Sequence, residues 1–319
     1  MIEKGGSPGE LIAGPCSINK SNIEDVFKLS QIQVKNLRGE RQSALFGTRI
    51  VGLKSRTELN QSGEGMGIDF EAVMQNLLIL ENGGNKNDFV TPPSVSIGRN
   101  IIKQTGMMVS TEVMMPLLQI PVYERQIEQG SMLLWSPSVE TLGWSILPTA
   151  GAVAKRKDWN IGIKNPKWLG SSPLESDSLE ALETSMEKTW KGMASYALAR
   201  GVKTEQIIMI HRGIDVPEKE DFRSLPVHKI AERAKLTMST GVKIYFDPSH
   251  SFGPKKRDEI LEATIKAMLM RDSRSGWLYD GALIEAGSSM TDTGQHITID
   301  EVVVLASELA KFRNLRTRK

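Results

Sequence analysis

The chain has 319 residues, and its 40 basic and 38 acidic side chains leave a formal net charge of +2. A balanced charge gives no electrostatic case for binding nucleic acid or a membrane surface, and no apolar run reaches the roughly 18 residues that a membrane span needs. The single cysteine excludes an intrachain disulfide framework and is typical of a reducing compartment. We therefore expect a cytoplasmic protein with a small-molecule partner.

Strand-like apolar runs alternate with helix-like stretches along the chain, and we count eight of each. The predicted strands cover residues 11–16, 43–53, 107–113, 131–136, 159–164, 206–211, 242–247 and 281–285. Helical spacing of apolar residues is found over 23–37, 70–80, 179–199, 255–270 and 301–312, and the Gly-, Asn- and Pro-rich stretch 82–100 predicts a mobile surface loop. The alternation predicts a single α/β domain over residues 1–319, a (β/α)₈ TIM barrel, with no appended regulatory domain.

Residues that can bind a metal follow the predicted strand ends. They are Cys16 after the first strand, His250 after Asp247-Pro248-Ser249, Glu285 at the end of the last strand, and Asp292 just beyond it. Taken alone, Cys16 is better interpreted as a small buried side chain. A thiolate and an imidazole with two carboxylates, however, suit Mn, Fe, Co or Zn better than Mg or Ca. The wide spacing excludes a structural zinc knuckle and predicts an open site built from several strand ends.

Basic residues also follow these strands. Arg49, Lys54, Arg56 and Thr57 come at or after the second strand, Lys164 ends the fifth, and Arg212 follows the sixth. In a barrel the carboxyl ends of the strands converge on one mouth, and Arg and Lys bind phosphate or carboxylate. The pattern indicates a phosphorylated and carboxylated small ligand. The alternative, solvated surface charge, fits most of the 40 basic residues but fits poorly for those directly after apolar strands.

Other polar residues receive less weight. Glu112 ends the third strand and is predicted to orient a cation or water, with a structural salt bridge as the alternative. His211 is interpreted as a hydrogen-bonded packing residue, and His228 and His296 as surface residues of a helix or loop.

Together these motifs resemble the metal-dependent phosphoenolpyruvate-condensing synthases. This family includes 3-deoxy-D-arabino-heptulosonate 7-phosphate (DAHP) synthase and 3-deoxy-octulosonate 8-phosphate synthase. The likeness extends from Ala13-Gly14-Pro15-Cys16-Ser17 through Asp247-Pro248-Ser249-His250 to Thr291-Asp292-Thr293-Gly294-Gln295. Lys54-Ser55-Arg56-Thr57 resembles the heptulosonate branch, because no Asn is inserted before the Arg.

The resemblance implies roles for individual residues. Cys16, His250, Glu285 and Asp292 correspond to the family's metal ligands; Arg49, Lys54, Lys164 and Arg212 resemble its phosphoenolpyruvate-binding cations; and Arg56 and Thr57 resemble its aldose-phosphate-binding pair. Lys54, Cys16 and His250 are then the candidate catalytic residues. Lys54 is expected to donate a proton with a depressed pKa or to act as a fixed charge.

The chain departs from the family pattern after the fourth strand. Where the family has Gly-Ala-Arg, whose Arg binds the phosphate of phosphoenolpyruvate, this sequence has Trp135-Ser136-Pro137-Ser138. Trp135, Trp144, Trp159 and Trp168 all fall near the fourth and fifth strand ends, which suggests a reshaped pocket or an interface.

The implied activity is that of a transferase, a DAHP synthase that condenses phosphoenolpyruvate with erythrose 4-phosphate with the help of a divalent metal ion. This is the entry step of the shikimate pathway to aromatic amino acids. The alternatives are the same chemistry on another aldose phosphate and a non-catalytic barrel that retains ligand or metal binding. Members of this family commonly form dimers or tetramers, so a homo-oligomer is expected.

Overall fold

A computed structural model of the chain describes residues 8–54, 66–136, 143–166, 183–214, 228–289 and 293–317. Its strands are β1 (Glu10–Gly14), β2 (Gln33–Lys35), β3 (Arg41–Ser43), β4 (Gly47–Arg49), β5 (Met108–Glu112), β6 (Met132–Trp135), β7 (Asn160–Lys164), β8 (Ile207–His211), β9 (Lys243–Phe246) and β10 (Gly281–Glu285). Its helices are α1 (Ile23–Ser30), α2 (Phe70–Glu81), α3 (Pro93–Thr105), α4 (Pro116–Gln126), α5 (Trp144–Lys157), α6 (Ser185–Ala199), α7 (His228–Thr237), α8 (Pro248–Phe252), α9 (Ile260–Met268) and α10 (Ile299–Ala310).

Eight of these strands close into a barrel in the order β1, β4, β5, β6, β7, β8, β9, β10, and β10 pairs with β1. Each pair is parallel, as shown by Ala13 of β1 lying opposite Thr48 of β4 and Ile284 of β10. Parallel strands joined by helices define a (β/α)₈ barrel, so the predicted fold is confirmed.

Side chains of the barrel strands alternate between two apolar layers. On β8, Ile208 and Ile210 belong to the cluster inside the barrel, whereas Ile207 and Met209 belong to the larger cluster between strands and helices. On β7, Lys164 lies two residues after Gly162, and on β10, Glu285 lies two residues after Leu283. Gly162 and Leu283 both face the barrel axis. The alternation therefore directs charged strand ends into the mouth.

The helix predicted over 23–37 is wrong in its second half. Helix α1 ends at Ser30, and Gln33–Lys35 instead pairs antiparallel with Arg41–Ser43. Gly39 has a φ of +79°, a conformation that suits the turn of this hairpin. Apolar spacing cannot distinguish the two structures here, because Val34 alone is buried on β2.

The loop predicted over 82–100 is also wrong beyond Pro92. Helix α3 begins at Pro93, which occupies the first helical turn and lacks an amide hydrogen that would need a partner there. A short 3₁₀ helix, Lys86–Asp88, precedes it. Pro93 therefore marks the beginning of a helix in this stretch rather than a long loop.

Two further helices begin later than predicted. Helix α6 begins at Ser185, after a capping box in which Thr184 and Glu187 bond reciprocally, and residues 179–182 lie outside the described residues. Pro254–Glu259 forms 3₁₀ helix before α9. None of the helices in the described ranges is long and apolar enough to cross a membrane.

Candidate active site

The carboxyl ends of the barrel strands bring three buried ion pairs together. Arg49 NH2 lies 3.0 Å from Glu285 Oε1, Lys164 Nζ lies 3.3 Å from Asp247 Oδ2, and Lys54 Nζ contacts Glu112 Oε2. All six side chains are at most 8% exposed. Three of the predicted anion-binding cations therefore share one mouth with carboxylates rather than lying in solvent.

Arg49 ends β4 and is completely buried. Its close approach to β1 requires Gly14, since a Cβ there would lie 2.8 Å from Arg49 Cβ. Only NH2 of the guanidinium bonds to Glu285, while Nε and NH1 have no hydrogen-bond partner among the described residues. A buried fork with unused donors suits an anionic ligand.

Lys54 is held by the segment that follows β4. Its backbone N–H donates to Met66 O at 3.0 Å, and its ammonium pairs with Glu112. Burial lowers the pKa of Lys54, but electrostatic attraction to Cys16, Glu112 and Glu285 outweighs burial and raises the pKa above its ordinary value. Of the two roles predicted for Lys54, the raised pKa favours a fixed charge over a proton donor with a depressed pKa, because anions surround the ammonium.

Glu112 pairs with Lys54, a contact that fits both of its predicted roles, orienting a cation and forming a structural salt bridge. Burial tends to raise the pKa of its carboxyl, but the charges of Lys54 and Lys164 lower the pKa to about 2. The carboxylate therefore stays ionised at neutral pH and holds Lys54 in place.

Lys164 is the lysine whose pKa is lowered. It ends β7 with 1% of its surface exposed. Burial lowers its pKa, repulsion from Arg212 and Lys54 adds to that effect, and attraction to Asp247 and Glu112 offsets only part of it. Of the two candidate lysines, Lys164 is thus the one prepared to give up a proton.

Arg212 follows β8 and is tied to the end of β7. Its backbone N–H donates to Asn165 Oδ1 at 2.7 Å, and Asn165 Nδ2 donates to Gly213 O at 2.6 Å. Asn165 thereby fixes two neighbouring strand ends, and Arg212, 4% exposed, lies near enough to Lys164 to lower its pKa.

His250 lies on α8, which begins directly after β9. Asp247 Oδ1 accepts hydrogen bonds from His250 N at 3.1 Å and, in the tautomer assigned here, from His250 Nδ1 at 2.9 Å. Burial lowers the pKa of His250 despite the Asp247 charge, so the imidazole is neutral at neutral pH. Its Nε2 then presents a lone pair 3.8 Å from Glu285 Oε1.

Glu285 ends β10 and is positioned at three points. Its backbone N–H donates to Ser249 Oγ at 2.9 Å, Oε1 accepts from Arg49, and Oε2 accepts from Gln295 Nε2 at 2.5 Å. Burial tends to raise the pKa of the Glu285 carboxyl, but His250, which is protonated at low pH, and Arg49 hold this pKa well below its usual range. Gln295 is a positioning residue that sequence reasoning missed, although it stands inside the quoted Thr-Asp-Thr-Gly-Gln motif.

Cys16 is completely buried beside the same group of charges. Its backbone N–H donates to His296 Nε2 at 2.9 Å. The prediction that His296 is a surface residue is wrong, since 7% of it is exposed and it fixes the Gly-Pro-Cys turn. Its position directly after Gln295 is the sequence feature that could have indicated a buried His296.

The other histidines pack outside the barrel. His211 Nδ1 and His228 Nδ1 each lie 2.9 Å from the Tyr279 hydroxyl. Burial lowers the pKa of His211 to about 3 and that of His228 to about 4. The interpretation of His211 as a packing residue agrees with this geometry. His228, predicted to be a surface residue, is only partly exposed.

Several predicted residues cannot be placed. Arg56, Thr57, Asp292, Pro137, Ser138 and Trp168 lie outside the described residues. Within the described ranges, no three His, Cys, Asp or Glu side chains are grouped closely enough to hold a metal ion. His250 and Glu285 nevertheless fit one chemically, because a carboxylate on Nδ1 fixes the imidazole with Nε2 free to coordinate.

Comparison with known proteins supports the fold. No protein-family model and no curated protein matches the sequence. Among solved structures, the chain is similar to phospho-2-dehydro-3-deoxyheptonate aldolase (DAHP synthase) from Thermotoga maritima, with a TM-score of 0.64. The match covers 97% of this chain and 71% of that chain at 16% sequence identity. At this identity the match shows a shared barrel fold.

Proposed function

We propose that this protein condenses phosphoenolpyruvate with an aldose phosphate, and that the aldose is erythrose 4-phosphate. The observation that carries the proposal is the buried mouth, in which Arg49 keeps unused donors beside Lys164 and next to the His250–Glu285 pair. The order of the motifs and the structural similarity to a DAHP synthase support the same family.

In this proposal the cations bind the first substrate. Arg49, Lys164 and Arg212 hold the phosphate and carboxylate of phosphoenolpyruvate, and Lys54 supplies a fixed positive charge because its pKa is raised. Arg56 and Thr57 would bind the aldose phosphate. Since the buried charges are already oriented, little reorganisation is needed as charge moves during the reaction.

His250 and Glu285, with Cys16 and Asp292 as the further proposed ligands, would hold a divalent Mn, Fe, Co or Zn ion. When bound, such an ion polarises the aldehyde of the aldose phosphate as a Lewis acid. Gln295, Ser249 and Asp247 keep the carboxylate and the imidazole in their orientations.

The proposed reaction forms one carbon–carbon bond and releases one phosphate. The methylene carbon of phosphoenolpyruvate forms a bond to the aldehyde carbon, and the aldehyde oxygen takes a proton. Water adds to the former enol carbon and loses one proton; the C–O bond to phosphate then breaks as the new hydroxyl becomes a ketone, and its proton leaves with inorganic phosphate. Among the described residues of the mouth, Lys164, with its lowered pKa, is the ammonium group suited to exchange these protons, whereas Lys54 keeps its charge.

The test is phosphate release from phosphoenolpyruvate by chelator-treated protein to which Mn is restored. Erythrose 4-phosphate, arabinose 5-phosphate and no sugar are compared, with metal-free protein and Cys16→Ala as controls. Turnover with erythrose 4-phosphate alone supports the proposal, and turnover with arabinose 5-phosphate moves the chain to the octulosonate branch. Tight binding of phosphoenolpyruvate without release for any sugar establishes the alternative, a non-catalytic barrel.

A further inference from the structure

Trp135 occupies the barrel where β6 opens into the mouth, at the departure from the Gly-Ala-Arg pattern. It is completely buried and belongs to the apolar cluster inside the barrel. Gly162 on β7 makes room for it, because a Cβ at that position would lie 2.9 Å from Trp135 Cβ. The indole is thus built into the floor of the proposed site.

Two of the anion-binding cations lie close to this one ring. The guanidinium carbon of Arg49 is 5.6 Å from the ring centroid of Trp135, and Lys164 Nζ is 6.0 Å from it. Cations at such distances are attracted by the indole quadrupole. Trp135 therefore helps to keep two mutually repelling charges at the same anion site.

The indole N–H of Trp135 has no hydrogen-bond partner among the described residues, although it is buried. The other two fully buried tryptophans in these ranges do have one, since Trp159 Nε1 donates to Glu128 O and Trp190 Nε1 to Ile163 O, both at 2.7 Å. A buried donor without an acceptor is costly. Three such donors belong to this pair of stacked side chains, Trp135 Nε1 and Arg49 Nε and NH1.

We propose that the indole N–H of Trp135 donates a hydrogen bond to an anionic oxygen of phosphoenolpyruvate. This inference rests on the proposed function and adds to it a substrate-binding residue. A neutral donor at the end of β6 completes the oxyanion contacts that Arg49 begins, in the strand where the resembled family continues into an arginine.

The test follows the indole N–H signals of the full-length protein by NMR with ¹⁵N-labelled tryptophan. Trp135→Phe identifies the Trp135 signal, because it removes the N–H and retains an aromatic ring. Trp159→Phe is the matched control, since it also removes one buried indole N–H, but one that already donates to Glu128 O. Adding phosphoenolpyruvate is expected to move the Trp135 signal downfield and to leave the Trp159 signal in place.

Kinetics supplies the second readout. In Trp135→Phe the KM for phosphoenolpyruvate should rise about tenfold, the loss expected for one hydrogen bond to a charged group. The KM for the aldose phosphate should not change, and Trp159→Phe should alter neither. Inorganic phosphate and pyruvate, tested separately, show whether the phosphate or the carboxylate accepts the bond.

The outcomes separate the two proposals. If phosphoenolpyruvate binds by calorimetry but leaves the Trp135 signal and the KM of Trp135→Phe unchanged, the role of Trp135 is wrong and the proposed function stands. If the wild-type protein binds no phosphoenolpyruvate, the proposed function fails and the role of Trp135 falls with it.

Discussion

The Glu10 carboxylate at the amino end of the barrel and the Arg49 guanidinium at the carboxyl end are both buried, but only the Glu10 carboxylate has hydrogen-bond partners for all of its polar atoms among the described residues. At the amino end, the carboxylate of Glu10 accepts from Lys243 Nζ at 2.8 Å, from Arg316 NH1 at 2.7 Å and from the Tyr245 hydroxyl. At the carboxyl end, Arg49 makes one side-chain ion pair and leaves two donor nitrogens unused.

This difference separates stability from binding. A saturated network such as that of Glu10 stabilises the closed barrel, because every buried charge has its partners. A network with unpaired buried donors, such as that of Arg49, lowers the stability of the free protein. An anion that accepts hydrogen bonds from those donors restores the stability. The pattern agrees with the general division of such barrels, in which chemistry occupies the carboxyl ends of the strands.

The largest effect on activity is expected from a substitution of Arg49. Arg49→Lys keeps a positive charge beside Glu285 but removes the fork, so phosphoenolpyruvate-dependent phosphate release should fall about 10²- to 10³-fold. The thermal midpoint should move little, because an ion pair with Glu285 persists. Activity within threefold of wild type would show that the unused donors of Arg49 have no role.

A substitution of Glu10 is expected to lower stability and to leave activity unchanged. Glu10→Gln removes the counter-charge of the partly exposed Lys243 and Arg316, and should lower the free energy of unfolding by about 1 kcal/mol. Urea unfolding measures this change. The kcat and the KM for phosphoenolpyruvate should be unchanged in the folded variant, and a loss of kcat with normal stability would reverse the comparison.

Asp69 sharpens the comparison as a buried carboxylate without a cation. It accepts hydrogen bonds from Ser94 N and Oγ, and no Lys or Arg in the described ranges pairs with it. Burial raises its pKa from 3.8 to about 6 despite these hydrogen bonds. A pKa raised in the folded state favours the protonated form, so this stabilisation is complete below the ordinary pKa and is lost as pH rises through about 6.

At low pH, the raised pKa of Asp69 contributes about 3 kcal/mol to the free energy of unfolding. The stability of wild type relative to Asp69→Asn should therefore fall by that amount between about pH 4 and pH 7, measured by urea unfolding at each pH. A difference between the two proteins that does not vary with pH would mean that Asp69 titrates normally.

The smallest effect is expected at Gln295. Gln295→Leu removes the amide that holds Glu285 Oε2, and should weaken Mn binding about tenfold. Gln206→Leu is the matched control, because the Gln206 amide bonds to Ala154 O and Trp159 O away from the mouth. The control should lose stability and keep its Mn affinity; equal Mn affinity in both variants would argue against a role for Gln295.

Much of the barrel was predictable because each strand is a short apolar run that ends in polar residues. The prediction of β10 at 281–285 is matched residue for residue. The hairpin of β2 and β3 was not predictable, since its pairing depends on contacts with distant residues and its strands bury little. The sequence pattern does not predict helix α3, because a Pro92-Pro93 pair is as typical of a loop as of a helix start.

The site was predictable in its residues more than in its electrostatics. Arg49, Lys54, Lys164, His250 and Glu285 are brought together as the motifs suggested. The direction of the pKa shifts at Lys54 and Lys164 was not predictable, because it depends on which carboxylates lie within a few ångströms. The buried position of His296 likewise depends on the return of the chain beside Cys16.

The most direct test of the central claim is calorimetric titration of phosphoenolpyruvate into wild type, Arg49→Lys and Glu10→Gln. Wild type and Glu10→Gln should bind with the same Kd, and Arg49→Lys should bind at least about tenfold more weakly. Equal affinity of wild type and Arg49→Lys, or no binding to wild type, would contradict the assignment of this mouth as the phosphoenolpyruvate site.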